Sequence, residues 1–89
     1  MLRKSQDFFA HCVDNSDMYF DVRVFGVRLK ELRDEKGITT IQLGEALGVT
    51  CATISRWENG LINPTVDSIF RIAKYFHVPA GYLIGTEEL

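Results

Sequence analysis

The amino-acid sequence predicts a small all-α domain. Its 89 residues, 46% of them hydrophobic and 25% charged, suit one compact core. Apolar residues recur at helical spacing in short segments, which glycine, proline or threonine residues separate from one another. Residues 18–24 come nearest to the alternating pattern of a half-buried strand, and their conformation stays open. No other segment alternates in this way over a sufficient length.

The first two predicted helices lie before Gly48. The first spans about residues 22–36, because three apolar residues recur at positions i, i+4 and i+7 of one helical face: Phe25, Leu29 and Leu32. Gly37 supplies the left-handed residue on which many helices end. The second helix starts after an N-cap at Thr39 or Thr40 and ends at Gly48.

The third predicted helix follows after only three residues, 48–50, and runs from an N-cap at Thr50 to about Asn59. Two short helices joined in this way form a helix-turn-helix arrangement. On a helical wheel, Ile54 and Trp57 share one apolar side. The opposite side comprises Cys51, Ala52, Ser55 and Arg56. Because it holds no large hydrophobic residue, that side suits a helix that enters the major groove of DNA.

Two more helices are predicted after residues 63–65, an Asn-Pro-Thr sequence typical of a loop followed by an N-cap. The fourth helix has the strongest apolar stripe in the chain, formed by Val66, Ile69, Phe70, Ala73 and Phe76. Pro79 opens a final short turn or helix. That last segment contains Tyr82, Leu83 and Ile84. Together the five segments predict an all-α bundle.

The formal net charge of -2 excludes a protein that coats nucleic acid or anionic lipid by bulk charge alone. Residues 22–85 carry eight basic against six acidic side chains, so the acidity lies at the two ends, including an acidic tail at residues 86–89. We expect no membrane contact and a cytoplasmic location, because the sequence has neither a transmembrane-length apolar run nor a signal-peptide pattern. Cys12 and Cys51 lack the spacing of a zinc site, so we expect no metal and no cofactor.

The run from Ile38 to Gly60, followed by Asn63-Pro64 and Ile72-Ala73, resembles the phage-repressor (Cro/XRE) helix-turn-helix family. The resemblance covers about residues 24–85, and its most specific part is the sequence Ile-Ser-Arg-Trp-Glu-Asn-Gly. It implies a five-helix, lambda-repressor-like domain, which we assign to residues 22–85. It also implies a sequence-specific, repressor-like transcriptional regulator that binds double-stranded DNA as a homodimer.

The resemblance also implies roles for individual residues. Base contacts fall on Cys51, Ala52, Ser55 and Arg56. Phosphate contacts fall on Thr40, Asn59 and Asn63. A structural ion pair joins Arg33 and Glu58, and dimer contacts fall on Leu61, Ile62, Tyr82 and Ile84. The chain departs from its relatives in having threonine rather than glutamine at position 40, and in having no lysine or arginine at positions 61–63.

Three alternatives stay open. The N-terminal extension, residues 1–21, either forms a helix that caps the core or acts as an arm for self-association or for a protein partner. The chain is either a DNA-binding regulator or an antitoxin or regulatory subunit whose main role is protein–protein interaction. The thiol of Cys51 is either a small base contact or a redox switch. No nucleophile–base pair, phosphate-binding glycine loop or paired carboxylate site indicates an enzyme.

Overall fold

The computed structural model describes residues 20–89, which form five α-helices and no β-strand. The helices are α1 (Val22–Lys36), α2 (Thr40–Leu47), α3 (Cys51–Glu58), α4 (Val66–Phe76) and α5 (Ala80–Ile84). This architecture confirms the predicted all-α, five-helix domain. The two interpretations of the N-terminal extension concern residues 1–19 above all, and these lie outside the described part of the chain.

Threonine caps start three of the helices. The capping hydroxyls, each of which accepts a hydrogen bond from the backbone N–H three residues further on, belong to Thr39, Thr50 and Thr65. At α2 the side chain of Gln42 also accepts from the N–H of Thr39, which completes a capping box. Thr39 rather than Thr40 is therefore the N-cap. Asp21 caps α1, so the segment whose conformation the sequence left open is helical from Val22 onward.

All five helices contribute to one core. Its buried apolar residues are Phe25, Leu29, Leu32, Leu43, Leu47, Ile54, Trp57, Ile72, Ala73 and Leu83. α1 packs against α3 and α5, α2 packs against α3 and α4, and α4 packs against α5. α3 is therefore held between α1 and α2. The predicted apolar stripe of α1 is the side of α1 that is buried.

The predicted stripe of α4 is only partly buried. Of its residues only Ala73 lies in the core, and Ile69 and Phe76 are half-buried; Ile72, which the predicted stripe left out, is fully buried. Val66 and Phe70, by contrast, are 69% and 57% exposed. At about 100° per residue, the apolar residues of α4 span an arc of roughly 160°. The neighbouring helices cover one edge of this arc, and Val66 and Phe70 lie on the other edge.

Candidate nucleic-acid interface

α3 separates a buried side from an exposed side along its eight residues. Ile54 is fully buried and Trp57 is 4% exposed. The indole of Trp57 packs edge-on against Phe25 of α1, with ring centroids 6.1 Å apart. The exposed side chains are those of Cys51, Ala52, Ser55 and Arg56. The four candidate base-reading residues therefore share the open face of a helix whose other face is anchored in the core.

Arg56 differs from the other arginines that the structure describes. The others pair with carboxylates of the chain: Arg23 with Asp21, Arg28 with Glu88, Arg33 with Glu58 and Arg71 with Asp67. Arg56 is exposed and forms no ion pair with any carboxylate of residues 20–89. Its guanidinium is left to bind a partner, and its planar fork of N–H donors fits guanine O6 and N7.

The starts of α2 and α3 both leave backbone N–H groups for an anion. At α2 these groups belong to Thr40 and Ile41, and at α3 to Cys51 and Ala52. None of the four donates to an acceptor within residues 20–89. Unsatisfied N–H groups in the first turn of a helix favour phosphate. Thr40 is half-buried, and its backbone N–H is one of these free donors.

The two asparagine candidates lie where α3 ends. Asn59 is the C-cap of α3, and its side-chain N–H donates to the carbonyl of Ser55 at 2.9 Å. The same nitrogen lies 3.4 Å from the Ser55 hydroxyl. Asn63 is exposed further along the α3–α4 loop and makes no hydrogen bond within the described residues. Asn59 and Asn63 thus lie beyond the C-terminus of α3, whereas Thr40 lies at the start of α2.

An ion pair between Arg33 and Glu58 joins α1 to the end of α3. The Nε and Nη2 atoms of Arg33 donate to the two carboxylate oxygens of Glu58 at 2.6 and 3.1 Å, and Nη1 donates to the carbonyl of Ile38 at 3.0 Å. The side chains are 14% and 7% exposed. The Glu58 carboxylate raises the pKa of the Arg33 guanidinium, which stays charged at physiological pH. The pair therefore fixes α3 relative to α1 and to the start of α2.

Two glycines let other backbone segments approach closely. A β-carbon on Gly26 of α1 would lie 2.5 Å from the carbonyl oxygen of Trp57, and one on Gly44 of α2 would lie 2.7 Å from the carbonyl oxygen of Val49. Sequence reasoning assigned no contact to Gly26. The signal that could have found this contact is the presence of a glycine inside the predicted helix α1, because such a glycine usually has a packing reason.

Comparison with known proteins identifies the family. The family model described as Helix-turn-helix matches residues 29–83, more than half of the chain. The chain belongs to the Cro/C1-type (XRE) helix-turn-helix family. Its four exposed α3 residues therefore lie on the second helix of an XRE helix-turn-helix, and the Arg33–Glu58 pair braces that helix from behind.

Similar proteins carry regulatory names. The HTH-type transcriptional activator BcrR of Enterococcus faecalis is 40% identical over 65 residues, which are 73% of this chain and 32% of that protein. The HTH-type transcriptional regulator ImmR of Bacillus subtilis is 30% identical over 64 residues, 72% of this chain and 50% of that protein. The chain thus spans half or less of the length of these two relatives.

Two solved structures show the same XRE fold. The P22 c2 repressor in complex with a synthetic operator superposes with a TM-score of 0.68 and 25% identity, over 72% of this chain and 97% of that one. The restriction-modification controller protein C.AhdI of Aeromonas hydrophila superposes with a TM-score of 0.66 and 29% identity, over 73% of this chain and 98% of that one.

The candidate dimer residues of this XRE domain differ in exposure. Leu61 and Ile62 are exposed in the α3–α4 loop. Tyr82 and Ile84 of α5 are half-buried. The Arg28 guanidinium lies 4.5 Å from the centre of the Tyr82 ring and donates to the Tyr82 carbonyl, so part of that ring is covered within the chain. Loop residues therefore offer more free apolar surface than α5 does.

The described residues offer little for a metal or a membrane. Among residues 20–89 no group of His, Cys, Asp or Glu side chains could hold a metal ion. Cys51 is exposed with a free thiol, whereas Cys12 lies outside the described residues. Over the same range, every helix is too short or too polar to cross a bilayer.

Proposed function

We propose that this chain is a cytoplasmic, sequence-specific DNA-binding transcriptional regulator of the repressor type, with no enzymatic activity. The main support for this proposal is the position of Arg56 on the face of α3 opposite Ile54 and Trp57. Arg56 is exposed there and forms no ion pair within residues 20–89. A small polar face that ends in an arginine fits the major groove, which is about 12 Å wide. The structural similarity to the P22 c2 repressor, which was solved in complex with a synthetic operator, supports binding to double-stranded DNA.

In this proposal α3 lies in the major groove and Arg56 binds guanine. Cys51, Ala52 and Ser55 contact neighbouring base edges. Phosphate groups bind the backbone N–H of Thr40 and the loop residues Asn59 and Asn63. These contacts position the domain without selecting a sequence. We assign this DNA-binding unit to residues 22–85, with residues 86–89 as an acidic tail outside it.

The proposed regulator binds as a homodimer, with its two copies of α3 one helical turn of DNA apart, about 34 Å, on a near-palindrome. The proposed contacts between copies are Leu61, Ile62, Tyr82 and Ile84. If each subunit neutralises two or three phosphates, the plot of the logarithm of the affinity against the logarithm of the salt concentration has a slope of about -4 to -5. Sedimentation equilibrium that finds only monomer, both alone and on palindromic DNA, would remove the dimer.

Selection of bound sites from random DNA tests the proposal directly. On a selected site, Arg56→Ala should weaken binding by about 1–3 kcal/mol and barely change binding to random DNA. Lys74→Ala on α4 is the matched control, since Lys74 is also exposed and forms no ion pair within residues 20–89. If Arg56→Ala and Lys74→Ala weaken specific and random DNA equally, the charge of Arg56 matters and its base contact does not exist.

The exposed apolar side chains of Leu61, Val66 and Phe70 favour a second candidate function. In that role the chain is an antitoxin or regulatory subunit, and a protein partner binds this surface or residues 1–21. Affinity capture from nuclease-treated lysate separates the two functions. A stoichiometric protein partner, together with no selected DNA site, would support the second and contradict the first.

A further inference from the structure

The loop between α3 and α4 is uncharged, although it carries two of the proposed phosphate contacts, Asn59 and Asn63. Residues 59–66 contain no acidic or basic side chain. Backbone donors are present there, since the N–H groups of Ile62 and Asn63 donate to no acceptor within residues 20–89. The salt-dependent part of DNA affinity, however, comes from cations that neutralise phosphates. The loop itself supplies no such cation.

Arg23 of α1 lies against this loop. A β-carbon on Gly60 would lie 3.3 Å from Cγ of Arg23 and 3.7 Å from its Cα, so the stem of the arginine passes directly over Gly60. Gly60 also has a φ of 71°, a conformation that favours glycine at this turn. The fold therefore places a cation from α1 next to Asn59 and the uncharged loop that follows it.

The guanidinium of Arg23 can bind a further ligand. Its side chain is 84% exposed, the largest value among the arginines that pair with a carboxylate in the described residues. The contacts to Asp21 are long, because Nε lies 3.3 Å from Oδ1 and Nη2 lies 3.5 Å from Oδ2. Nη1 makes no hydrogen bond within residues 20–89. An exposed pair of this kind is weak, so a phosphate oxygen can share the guanidinium with Asp21 or displace the carboxylate.

We propose that Arg23 and the backbone N–H groups of Ile62 and Asn63 form one phosphate-binding site, in which α1 supplies the cation that the loop lacks. The proposal rests on the function proposed above. It adds that this site strengthens binding to DNA of any sequence, because phosphate contacts carry no base information. It also gives Asp21 an opposing role, since its carboxylate competes with the phosphate for the guanidinium.

Salt titrations of DNA binding test the site. Arg23→Gln should weaken binding to a selected site and to random DNA alike, by roughly tenfold at low salt. For a dimer, the slope of the logarithm of affinity against the logarithm of salt concentration should become less steep by about 2, because each subunit loses one phosphate contact. The melting temperature should stay the same, since the side chain is exposed. A loss confined to the selected site, or an unchanged slope, would overturn the inference.

Lys30→Gln is the matched control. Lys30 lies two helical turns further along α1, is exposed, and also pairs with a carboxylate, that of Asp34. Both variants remove one positive charge from the same helix, but Lys30 lies further from the α3–α4 loop. Lys30→Gln should therefore keep the wild-type slope. Equal changes in Lys30→Gln and Arg23→Gln would show that only the total charge matters, and would overturn the site.

Asp21→Asn should have the opposite effect. Asparagine caps a helix about as well as aspartate, so α1 keeps its N-cap. Without the carboxylate the guanidinium is free, and binding to both kinds of DNA should tighten about two- to five-fold per subunit. Asp34→Asn, which frees Lys30 instead, should leave affinity near the wild-type value. Weaker or unchanged binding by Asp21→Asn, or equal tightening in both variants, would overturn the proposal.

The same experiments separate this inference from the function on which it rests. Failure to select any DNA site would overturn the proposed function itself. A selected site that requires Arg56 and is bound equally well by Arg23→Gln would overturn the phosphate site alone and leave the DNA-binding function standing.

Discussion

α3 and α4 begin alike, each behind a threonine N-cap, yet they present opposite surfaces. On α3 the large apolar residues Ile54 and Trp57 are buried, and what remains exposed is small or polar. On α4 the apolar residues extend past the packed side, so Val66 and Phe70 are exposed. One helix thus offers hydrogen-bond donors to a partner, and the other offers hydrocarbon.

The difference shows that the neighbouring helices determine which face of α3 or α4 stays exposed. α3 is held by α1 and α2, and this contact includes a nearly buried ion pair and a glycine at close range. A rigidly held polar face suits a ligand that needs precise geometry, such as a base edge. An exposed apolar edge suits contact with another protein surface. The contrast can be tested residue by residue.

The largest effect should come from the buried side of α3. Ile54→Ala removes a fully buried side chain and leaves a cavity, so we expect a loss of about 3–4 kcal/mol in the free energy of unfolding. Urea denaturation followed by the fluorescence of Trp57, the one tryptophan in the chain, measures it. Ser55→Ala, on the exposed side, should change the free energy by less than about 0.5 kcal/mol. Similar losses in both variants would contradict the two-sided α3.

The next effect should come from the ion pair behind α3. Arg33→Ala leaves the nearly buried Glu58 carboxylate without its partner, so we expect a loss of about 2–3 kcal/mol, between the values of exposed and buried pairs. DNA affinity should fall only as far as the folded fraction falls. Thermal melting and DNA titration on the same samples measure both quantities.

A double variant that removes both partners of the ion pair is the control for Arg33→Ala. Arg33→Met with Glu58→Leu removes both charges and keeps apolar volume, so it should recover part of the lost stability. Weaker DNA binding by Arg33→Ala with an unchanged melting temperature would instead make Arg33 a direct DNA contact.

A smaller effect should come from the close contact between α1 and α3. In Gly26→Ala the new methyl would meet the carbonyl oxygens of Trp57 and Glu58, so the two helices must shift apart. We expect a loss of about 1–2 kcal/mol. Val27→Ala, the next residue and exposed, should stay within about 0.5 kcal/mol of the wild type. A stabilising Gly26→Ala would mean that helix propensity outweighs the contact.

Much of the fold was predictable because its signals are local. Threonine caps, glycine stops and the spacing of Phe25, Leu29 and Leu32 each depend on a few neighbouring residues, and the structure confirms these boundaries. The open edge of α4 was not predictable, since periodicity reports the width of an apolar arc and not how much of it the neighbours cover. The left-handed end of α4 at His77 lacked the usual glycine signal as well.

The candidate site also has a part that the sequence predicts and a part that it does not. A wheel placed Ile54 and Trp57 on one side of α3, and this alone was enough to predict the exposed face. Tertiary contacts were not predictable from it. Arg28 counts as a surface cation in the sequence, yet its guanidinium is held by the carbonyls of Tyr82 and Glu87 and by the carboxylate of Glu88. Only the folded chain shows that Arg56 stands apart from the other described arginines.

The smallest effect should come from the exposed edge of α4. Phe70→Ala in dilute protein should change the free energy of unfolding by less than about 0.5 kcal/mol, because a 57% exposed ring loses little burial. Ile72→Ala, on the buried side of the same helix, is the control and should lose about as much as Ile54→Ala. If a second copy covers this edge, wild-type stability rises with protein concentration and that of Phe70→Ala does not. A Phe70→Ala variant that is destabilised at every concentration would show that the ring is covered within one chain, and the contrast between α3 and α4 would disappear.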